Sequence, residues 1–127
     1  MSFAFDPTAG AIVVAAELTG PSGRSQVNLL LDTGANTTVI AEAALATAGY
    51  DPADPPGQIP ITTASAVSTA GVFIVAELAS LGLSRANIPV LSHTLPPGVD
   101  VDALLGIDFF EGHILTLDFI NHTLDLV

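Results

Sequence analysis

Residues 29–40 read Leu-Leu-Leu-Asp-Thr-Gly-Ala-Asn-Thr-Thr-Val-Ile and place one acidic residue between two apolar runs. Leu29–Leu31 has the unbroken apolarity of a strand that is covered on both faces, and Thr37–Ile40 has the β-branched composition of a second strand. Asp32–Asn36 is therefore expected to form a tight loop between them. Gly34 has no side chain, so a ligand or another backbone can approach the loop closely there. The pattern predicts a rigid loop that carries a carboxylate where the core begins.

The chain before this stretch predicts a β-hairpin. Ala11–Leu18 is mostly apolar, Thr19–Gly23 is a dense cluster of turn formers, and Arg24–Leu31 leads into the acidic loop. Polar residues occupy every second position at the start of this second strand. The strand is therefore expected to begin half exposed and to become buried as it approaches Asp32.

The chain after this stretch predicts a short helix and then a loop. Ala41–Ala48 is rich in alanine, with Glu42 in its first turn and Gly49 just past its end. This pattern is typical of a helix with a glycine C-cap. Asp51–Gly57 contains three prolines and is expected to be a loop.

The middle of the chain predicts further strands. Ile59–Val75 is strand-like and favours a long hairpin, with its tip near Ala64–Val67. Leu81–Leu83 and Ile88–Leu91 are expected to be additional short strands.

A second informative motif is the triplet Leu104-Leu105-Gly106. Its two apolar residues are suited to pack against the strand that carries the acidic loop, and its glycine allows two chain segments to cross at close range. After it, Ile114–Phe119 and Thr123–Val127 alternate around a turn and predict a closing hairpin.

Asp32-Thr33-Gly34-Ala35-Asn36, with its flanking residues, resembles the active-site loop of the retropepsin-like aspartic proteases, in particular the single-domain, homodimeric, bacterial kind. The Leu-Leu-Gly triplet resembles the family segment that threads beside this loop and leads into a short helix. The resemblance covers roughly Val13 to the C-terminus. It implies an all-β fold: a closed β-barrel of short strands with one or two short helices, forming half of a symmetric dimer. Residues 1–127 are expected to form this one domain.

The resemblance also implies site residues. Asp32, Thr33 and Gly34 would form the catalytic loop, with Thr33 of each chain bracing the other loop. The residues expected to contact substrate are Ala35 and Asn36 in the loop, and Ala64, Ser65, Ala66 and Val67 at the tip of the hairpin, which is the flap in this family. Many relatives carry glycine at the flap tip, whereas this chain has none before Gly71. No cofactor or metal is implied.

Hydrolysis of a peptide by carboxylates needs two of them, one to activate water and one to donate a proton to the carbonyl oxygen. This chain has one Asp-Thr-Gly, and Asp108, Asp118 and Asp125 are not followed by Thr-Gly or Ser-Gly. A second copy must therefore supply the second loop, with a twofold axis that brings Asp32 opposite Asp32. The implied activity is that of an aspartic endopeptidase that cleaves extended peptides with apolar residues at the scissile bond.

Composition limits the partners. The chain has 127 residues, of which 50% are hydrophobic and 12% are charged, so part of the apolar surface is expected to meet a second copy. The formal net charge of -11 repels phosphate backbones and anionic membranes, which disfavours both as partners. The first residues lack a basic segment followed by an apolar one, and no transmembrane stretch is seen, so a cytoplasmic location is expected.

Two further roles for carboxylates of this sequence are a calcium loop and a turn acceptor. Asp100, Asp102, Asp108 and Glu111 fall at positions 1, 3, 9 and 12 of a calcium loop, but leucines occupy positions 5 and 6, where position 6 requires glycine. For Asp32, the alternative role is an acceptor for loop amides. Its apolar flanks argue against that role, because a turn aspartate usually lies at a solvated end.

Two other classes of protein stay open. One is a non-catalytic peptide-binding module on the same fold, and the other is a structural acidic dimer. An activity assay separates the enzyme from the binding module.

Overall fold

The computed structural model describes residues 1–62, 66–95, 98 and 100–127. Within these residues the chain forms ten strands, one α-helix and one 3₁₀ helix. The strands are β1 Ser2–Ala4, β2 Val13–Gly20, β3 Gly23–Leu31, β4 Val39–Ile40, β5 Gly57–Thr62, β6 Val67–Ser80, β7 Leu83–Ser92, β8 Ala103–Leu105, β9 Leu115–Asp118 and β10 Thr123–Leu126. The helices are α1 Glu42–Ala48 and the 3₁₀ helix Ile107–Phe110.

Six of the described strands form a closed barrel. They pair in the order β2-β3-β8-β4-β7-β6, and β6 pairs back onto β2, which closes the ring. Closure pairs both edges of each strand and so removes the unpaired edges of an open sheet. Alternate side chains point inward to form the core, in which Leu18, Leu29, Val75 and Phe109 are fully buried. The expected all-β barrel with short helices is confirmed.

The hairpin of β2 and β3 leads the chain into the acidic loop as the sequence predicts. Val27 and Leu29 are buried, whereas Gln26 and Asn28 between and beside them are exposed. The helix prediction is also confirmed. Gly49 follows α1 with φ 100°, and its N–H donates to the carbonyl oxygens of the last turn.

The predicted strand at residues 88–91 lies within the longer strand β7, whereas the predicted strand at residues 81–83 is wrong, because Leu81 and Gly82 form a turn. The structure has one long hairpin of β6 and β7, in which Ser80 pairs with Leu83 across a two-residue turn. Leu81 and Gly82 have φ values of 56° and 74°, which define a primed turn that matches the twist of the strands. Leucine rarely adopts a positive φ, so the sequence carries no strong turn signal there. The side chain of Leu81 is buried, and this packing favours leucine in the turn.

The predicted hairpin that follows α1 is confirmed as the ribbon of β5 and β6. Its described pairs run from Gly57 with Val72 to Thr62 with Val67. The pairing of β6 with β7 ends at Gly71 with Ser92. In the described pairings, the four residues from Val67 to Ala70 therefore pair with β5 and not with β7. Beyond the end of the β6–β7 pairing, β5 and β6 thus form about 13 Å of two-stranded ribbon. Ala64 and Ser65 of the predicted tip lie outside the described residues.

Strand β8 lies between the two strands that flank the acidic loop. It runs parallel to β3, with Leu31 beside Leu105, and antiparallel to β4, with Val39 beside Leu104. The loop therefore starts and ends on either side of β8.

The predicted closing hairpin is present as β9 and β10, and the N-terminal strand β1 adds to it. The sequence did not predict β1. Leu126 donates its N–H to the carbonyl oxygen of Met1, which ties the two ends of the described chain together. No helix in the described part of the chain has the length and apolar character needed to cross a membrane.

Candidate active site

The backbone of the acidic loop is held where it leaves β3. The N–H of Leu31 donates to the carbonyl oxygen of Ile12 at 2.8 Å, and the N–H of Asp32 donates to that of Leu105 at 3.0 Å. The loop then turns on itself, because the N–H of Ala35 donates to the carbonyl oxygen of Asp32 at 3.1 Å. Leu31 is thus attached to the segment before β2, and Asp32 is attached to the end of β8.

The Asp32 carboxylate lies in a half-buried position at the edge of the core. Its Oδ1 accepts a hydrogen bond from the N–H of Gly34 at 3.1 Å. A Cβ added at Gly34 would lie 3.3 Å from this oxygen, so a larger residue would crowd the carboxylate. Among the described residues, Oδ2 has no hydrogen-bond partner. One oxygen is therefore oriented by the loop, and the other is available for a water, a substrate or a second carboxylate.

The segment after β8 crosses the loop at close range, as the triplet predicts. A Cβ added at Gly106 would lie 2.8 Å from the carbonyl carbon of Thr37 and 2.9 Å from the carbonyl oxygen of Ala35. Real Cβ atoms essentially never approach that closely, so only glycine fits without movement of the backbone. The next residue, Ile107, donates its N–H to the same carbonyl oxygen of Ala35 at 2.9 Å.

Asp108 holds the end of the loop, a role that the sequence did not reveal. Its Oδ1 accepts from the hydroxyl of Thr38 at 2.8 Å, and its Oδ2 accepts from the N–H of Thr38 at 3.1 Å. The same hydroxyl accepts the N–H of Gly106 at 3.1 Å. Thr38 is completely buried, so these bonds are shielded from water. The sequence signal that could have indicated this role was a carboxylate, Asp108, two residues after Gly106.

This arrangement corrects the predicted strand at residues 37–40, because β4 contains Val39 and Ile40 but neither threonine. The donors of Thr38 are used by the Asp108 carboxylate, and its carbonyl oxygen accepts from the N–H of Leu91. Asp108 is thus a structural partner of the loop. No group of three or more metal-ligating side chains is found among the described residues.

The predicted site residues fall into two groups. The structure brings Asp32, Thr33, Gly34, Ala35 and Asn36 together in the loop, where Thr33, Gly34 and Asn36 are exposed. Asn36 accepts a long hydrogen bond from the hydroxyl of Thr37, at 3.4 Å.

The second group was predicted at the tip of the hairpin, and its described members are Ala66 and Val67. Both are exposed, and Val67 is 70% accessible. Ala64 and Ser65 are not among the described residues. The described hydrogen bonds join the loop to β8, to the 3₁₀ helix and to the segment before β2, and none joins Val67 to it.

Residues 14–109 match the family model described as aspartyl protease, and the chain belongs to this family. The fold resembles the crystal structure of a retropepsin-like aspartic protease from Rickettsia conorii with a TM-score of 0.76. The two chains are 18% identical, over 99% of this chain and 88% of that one. It also resembles the solution structure of the simian foamy virus (mac) protease, with a TM-score of 0.52 and 21% identity over 76% of this chain and 88% of that one. At these identities the likeness establishes a retropepsin-like fold. No curated protein matches the chain significantly.

Proposed function

We propose that this protein is an aspartic endopeptidase whose catalytic pair consists of Asp32 from each of two identical chains. The observation that carries the proposal is the placement of Asp32. Its carboxylate lies half-buried at the end of a core strand, with one oxygen oriented by the N–H of Gly34 and the backbone N–H bonded to Leu105. A carboxylate that acts as acid or base must be held in this way, because proton transfer requires a defined position.

The need for a second copy follows from the chemistry. Two carboxylates must lie within hydrogen-bond reach and share one proton, and the sequence has one Asp-Thr-Gly. A twofold axis beside the loop supplies the second carboxylate.

Apolar surface beside the loop supports such an axis. Ile107, whose N–H bonds to the loop, is 51% exposed. Ile12, whose carbonyl oxygen accepts the N–H of Leu31, borders a cavity of about 260 Å³ that is also lined by Phe5 and Phe119. Phe119 is 65% exposed and packs edge-to-face on Phe5, with ring centroids 6.0 Å apart. Exposed apolar surface of this kind is suited to contact with another protein chain.

In the proposed reaction, the ionised Asp32 takes a proton from a water molecule while the water oxygen attacks the carbonyl carbon of the scissile peptide. The protonated Asp32 of the second copy donates its proton to the carbonyl oxygen, which yields a tetrahedral diol. One carboxylate then removes a hydroxyl proton while the other protonates the amide nitrogen, and the C–N bond breaks. Each carboxylate acts once as base and once as acid, so the pair returns to its starting state.

The proposed substrate is an extended peptide with apolar residues at the cleaved bond. Ala35 and Asn36 lie in the loop, where they can meet the substrate backbone. The ribbon of β5 and β6 is proposed to close over the peptide through Ala64, Ser65, Ala66 and Val67. Its described strands carry exposed apolar side chains, including Val67 and Ile59, which is 41% accessible. An exposed two-stranded ribbon can also pair with a peptide backbone.

The proposal is tested by incubating the purified chain with a library of apolar peptides over a range of protein concentrations. The expected result is cleavage whose rate per chain rises with concentration and levels off as dimers form, with sedimentation measured in parallel. Cleavage by a species that sediments only as a monomer would contradict the paired site. Peptide binding without cleavage under all conditions would favour the non-catalytic binding module.

A further inference from the structure

We infer that Asp108 and Arg85 are positioning residues for the catalytic loop. Asp108 lies in the 3₁₀ helix at residues 107–110 and bonds to the end of the loop, and Arg85 bonds to this helix. This inference rests on the proposed function and adds two residues that the Asp-Thr-Gly motif does not contain. Arg85 in β7 contacts the end of the 3₁₀ helix. Asp108 in this helix contacts Thr38, which is joined through the loop to Asp32. This set of contacts is called the brace below.

The first step of the brace joins Asp108 to Thr38. The Asp108 carboxylate accepts the hydroxyl and the backbone N–H of the buried Thr38. The hydroxyl oxygen of Thr38 in turn accepts the N–H of Gly106. Hydrogen bonds to a charged acceptor are stronger than neutral ones, and a buried donor that loses its partner is costly. Thr38 therefore has one favourable position. Since the N–H of Asp32 is bonded to Leu105, both ends of the loop are attached to the segment that contains β8 and the 3₁₀ helix.

The second step joins Arg85 to the 3₁₀ helix. Its Nε donates to the carbonyl oxygen of Phe109 at 2.9 Å, and its Nη2 donates to that of Glu111. A four-residue 3₁₀ helix has poor internal hydrogen bonding, so external contacts decide where it lies. Phe109 is fully buried and fixes the depth of the helix, whereas the planar guanidinium fixes the direction of its last carbonyl groups.

Arg85 is committed to this contact. The ion pairs found among the described residues are those of Met1 with Asp125 and of Arg24 with Glu17, and Arg85 is in neither. It borders a cavity of about 390 Å³ together with Asp108, Glu111 and Thr37. The arginine and the carboxylate that holds the loop thus lie on the same side of the 3₁₀ helix.

The brace is expected to act on catalysis more than on substrate binding. Two carboxylates that share a proton must meet within hydrogen-bond distance, and a misplacement of about 1 Å can lower a rate by about a hundredfold. The peptide itself is proposed to be held mainly by the ribbon of β5 and β6. A looser loop therefore lowers kcat while KM changes little.

The test compares Asp108→Asn with Asp118→Asn. The pair is matched, because each aspartate accepts three hydrogen bonds from nearby residues in the structure. Asparagine at position 108 presents an amide donor in place of one acceptor oxygen, so one of the two Thr38 donors loses the oxygen that it bonds in the wild type. The expected result is a fall in kcat of about 10- to 100-fold with KM within about twofold for Asp108→Asn, and wild-type values for Asp118→Asn.

Two further comparisons separate positioning from stability. Thr38→Val removes the hydroxyl, and Thr38→Ser is expected to recover most of the kcat lost in Thr38→Val. Arg85→Gln is expected to lower kcat by about 3- to 10-fold, whereas Arg24→Gln, the other arginine, is expected to leave it unchanged.

In Asp108→Asn the two limbs of the pH–rate profile should also move toward each other, because carboxylates that lie farther apart interact less. A loss of stability without a change in the loop would not alter the profile.

Hydrogen exchange of the segment 29–40 gives a readout that does not depend on activity. Faster exchange in Asp108→Asn and Thr38→Val than in Asp118→Asn is expected. If wild-type protein cleaves no peptide, the proposed function fails, and the exchange comparison still decides whether the brace orders the loop. A wild-type kcat and wild-type exchange in Asp108→Asn would overturn the inference. It would also be overturned if Asp118→Asn lost as much kcat as Asp108→Asn. Should Asp108→Asn not fold, the comparison of Thr38→Ser with Thr38→Val decides.

Discussion

The N–H of Asp32 donates to the carbonyl oxygen of Leu105 at 3.0 Å, at the end of the parallel pairing of Leu31 with Leu105. The residue proposed to be catalytic is therefore fixed by a strand from the last third of the chain. Parallel pairing requires a long connection, and pairing between residues far apart in the sequence is intrinsically slow. The loop is complete only when β8 has inserted between β3 and β4.

Asp32→Asn is expected to abolish peptide hydrolysis and to leave the fold and the dimer intact. Asparagine is nearly isosteric, and its side-chain oxygen can still accept the N–H of Gly34. In a symmetric dimer the substitution removes both the base and the acid. Cleavage assays, thermal unfolding and sedimentation are compared for the two forms. If Asp32 were instead a turn acceptor alone, the change would cost about 1 kcal/mol and any cleavage would persist.

Mixing wild-type chains with Asp32→Asn chains is expected to lower activity more steeply than simple dilution. If the two exchange freely, a wild-type fraction f forms wild-type dimers in proportion to f², and mixed dimers have one carboxylate and no activity. The rate is measured at constant total protein after exchange has reached equilibrium. A linear dependence on f would mean that each chain carries a complete site.

Cleavage is expected to favour mildly acidic conditions. Two adjacent carboxylates must retain one proton, and this proton is lost as the pH rises, so the rate should fall toward and above neutral pH. The charge of -11 per chain acts in the same direction, because subunits repel each other more strongly as carboxylates ionise. Dimer content is therefore measured at each pH together with the rate. A rate per dimer that climbs steadily above neutral pH is incompatible with a shared proton.

Gly106→Ala is expected to destabilise the protein and to disrupt the loop. The added methyl group would lie within 2.9 Å of backbone atoms of Thr37 and Ala35, which cannot move without displacing the loop. Overpacking of this kind costs about 1–3 kcal/mol. Urea unfolding is compared with that of Gly57→Ala, whose methyl group would make an ordinary contact of 3.7 Å with Val72. Equal stability of the two variants would show that the crossing at Gly106 is looser than the structure indicates.

The turn between β9 and β10 is expected to weaken in acid. The N–H and side-chain amide of Asn121 and the N–H of Ile120 donate to Asp118, and they hold the pKa of this carboxyl below its usual value of 3.8. Because the folded-state pKa is lowered, the stabilisation is present above pH 3.8 and is lost as the pH falls through the folded-state value. Amide exchange at Asn121, corrected for intrinsic rates, should accelerate below that value in wild type. Exchange that stays equally slow in acid would contradict the role of the carboxylate.

Sequence reasoning predicted the parts of the site that depend on neighbours along the chain. The loop at 32–36 lies between apolar runs, the alternation in β3 is visible over a few residues, and Gly49 caps α1 in the expected conformation. Each of these features arises from local backbone preferences and from the period of the side chains. The role of the triplet at 104–106 was also accessible, because a glycine after apolar residues is a local signal of close approach.

The sequence by itself therefore determined the family, the barrel class and the loop that carries Asp32. The tertiary structure decided that Leu81 occupies a turn, that β1 pairs with β10, and that the Asp108 carboxylate accepts both donors of Thr38. These features depend on partners far away in sequence, where no periodic pattern relates the two residues. A buried threonine and a carboxylate seventy positions later look unremarkable when read separately, and only closure of the barrel brings them within hydrogen-bond distance.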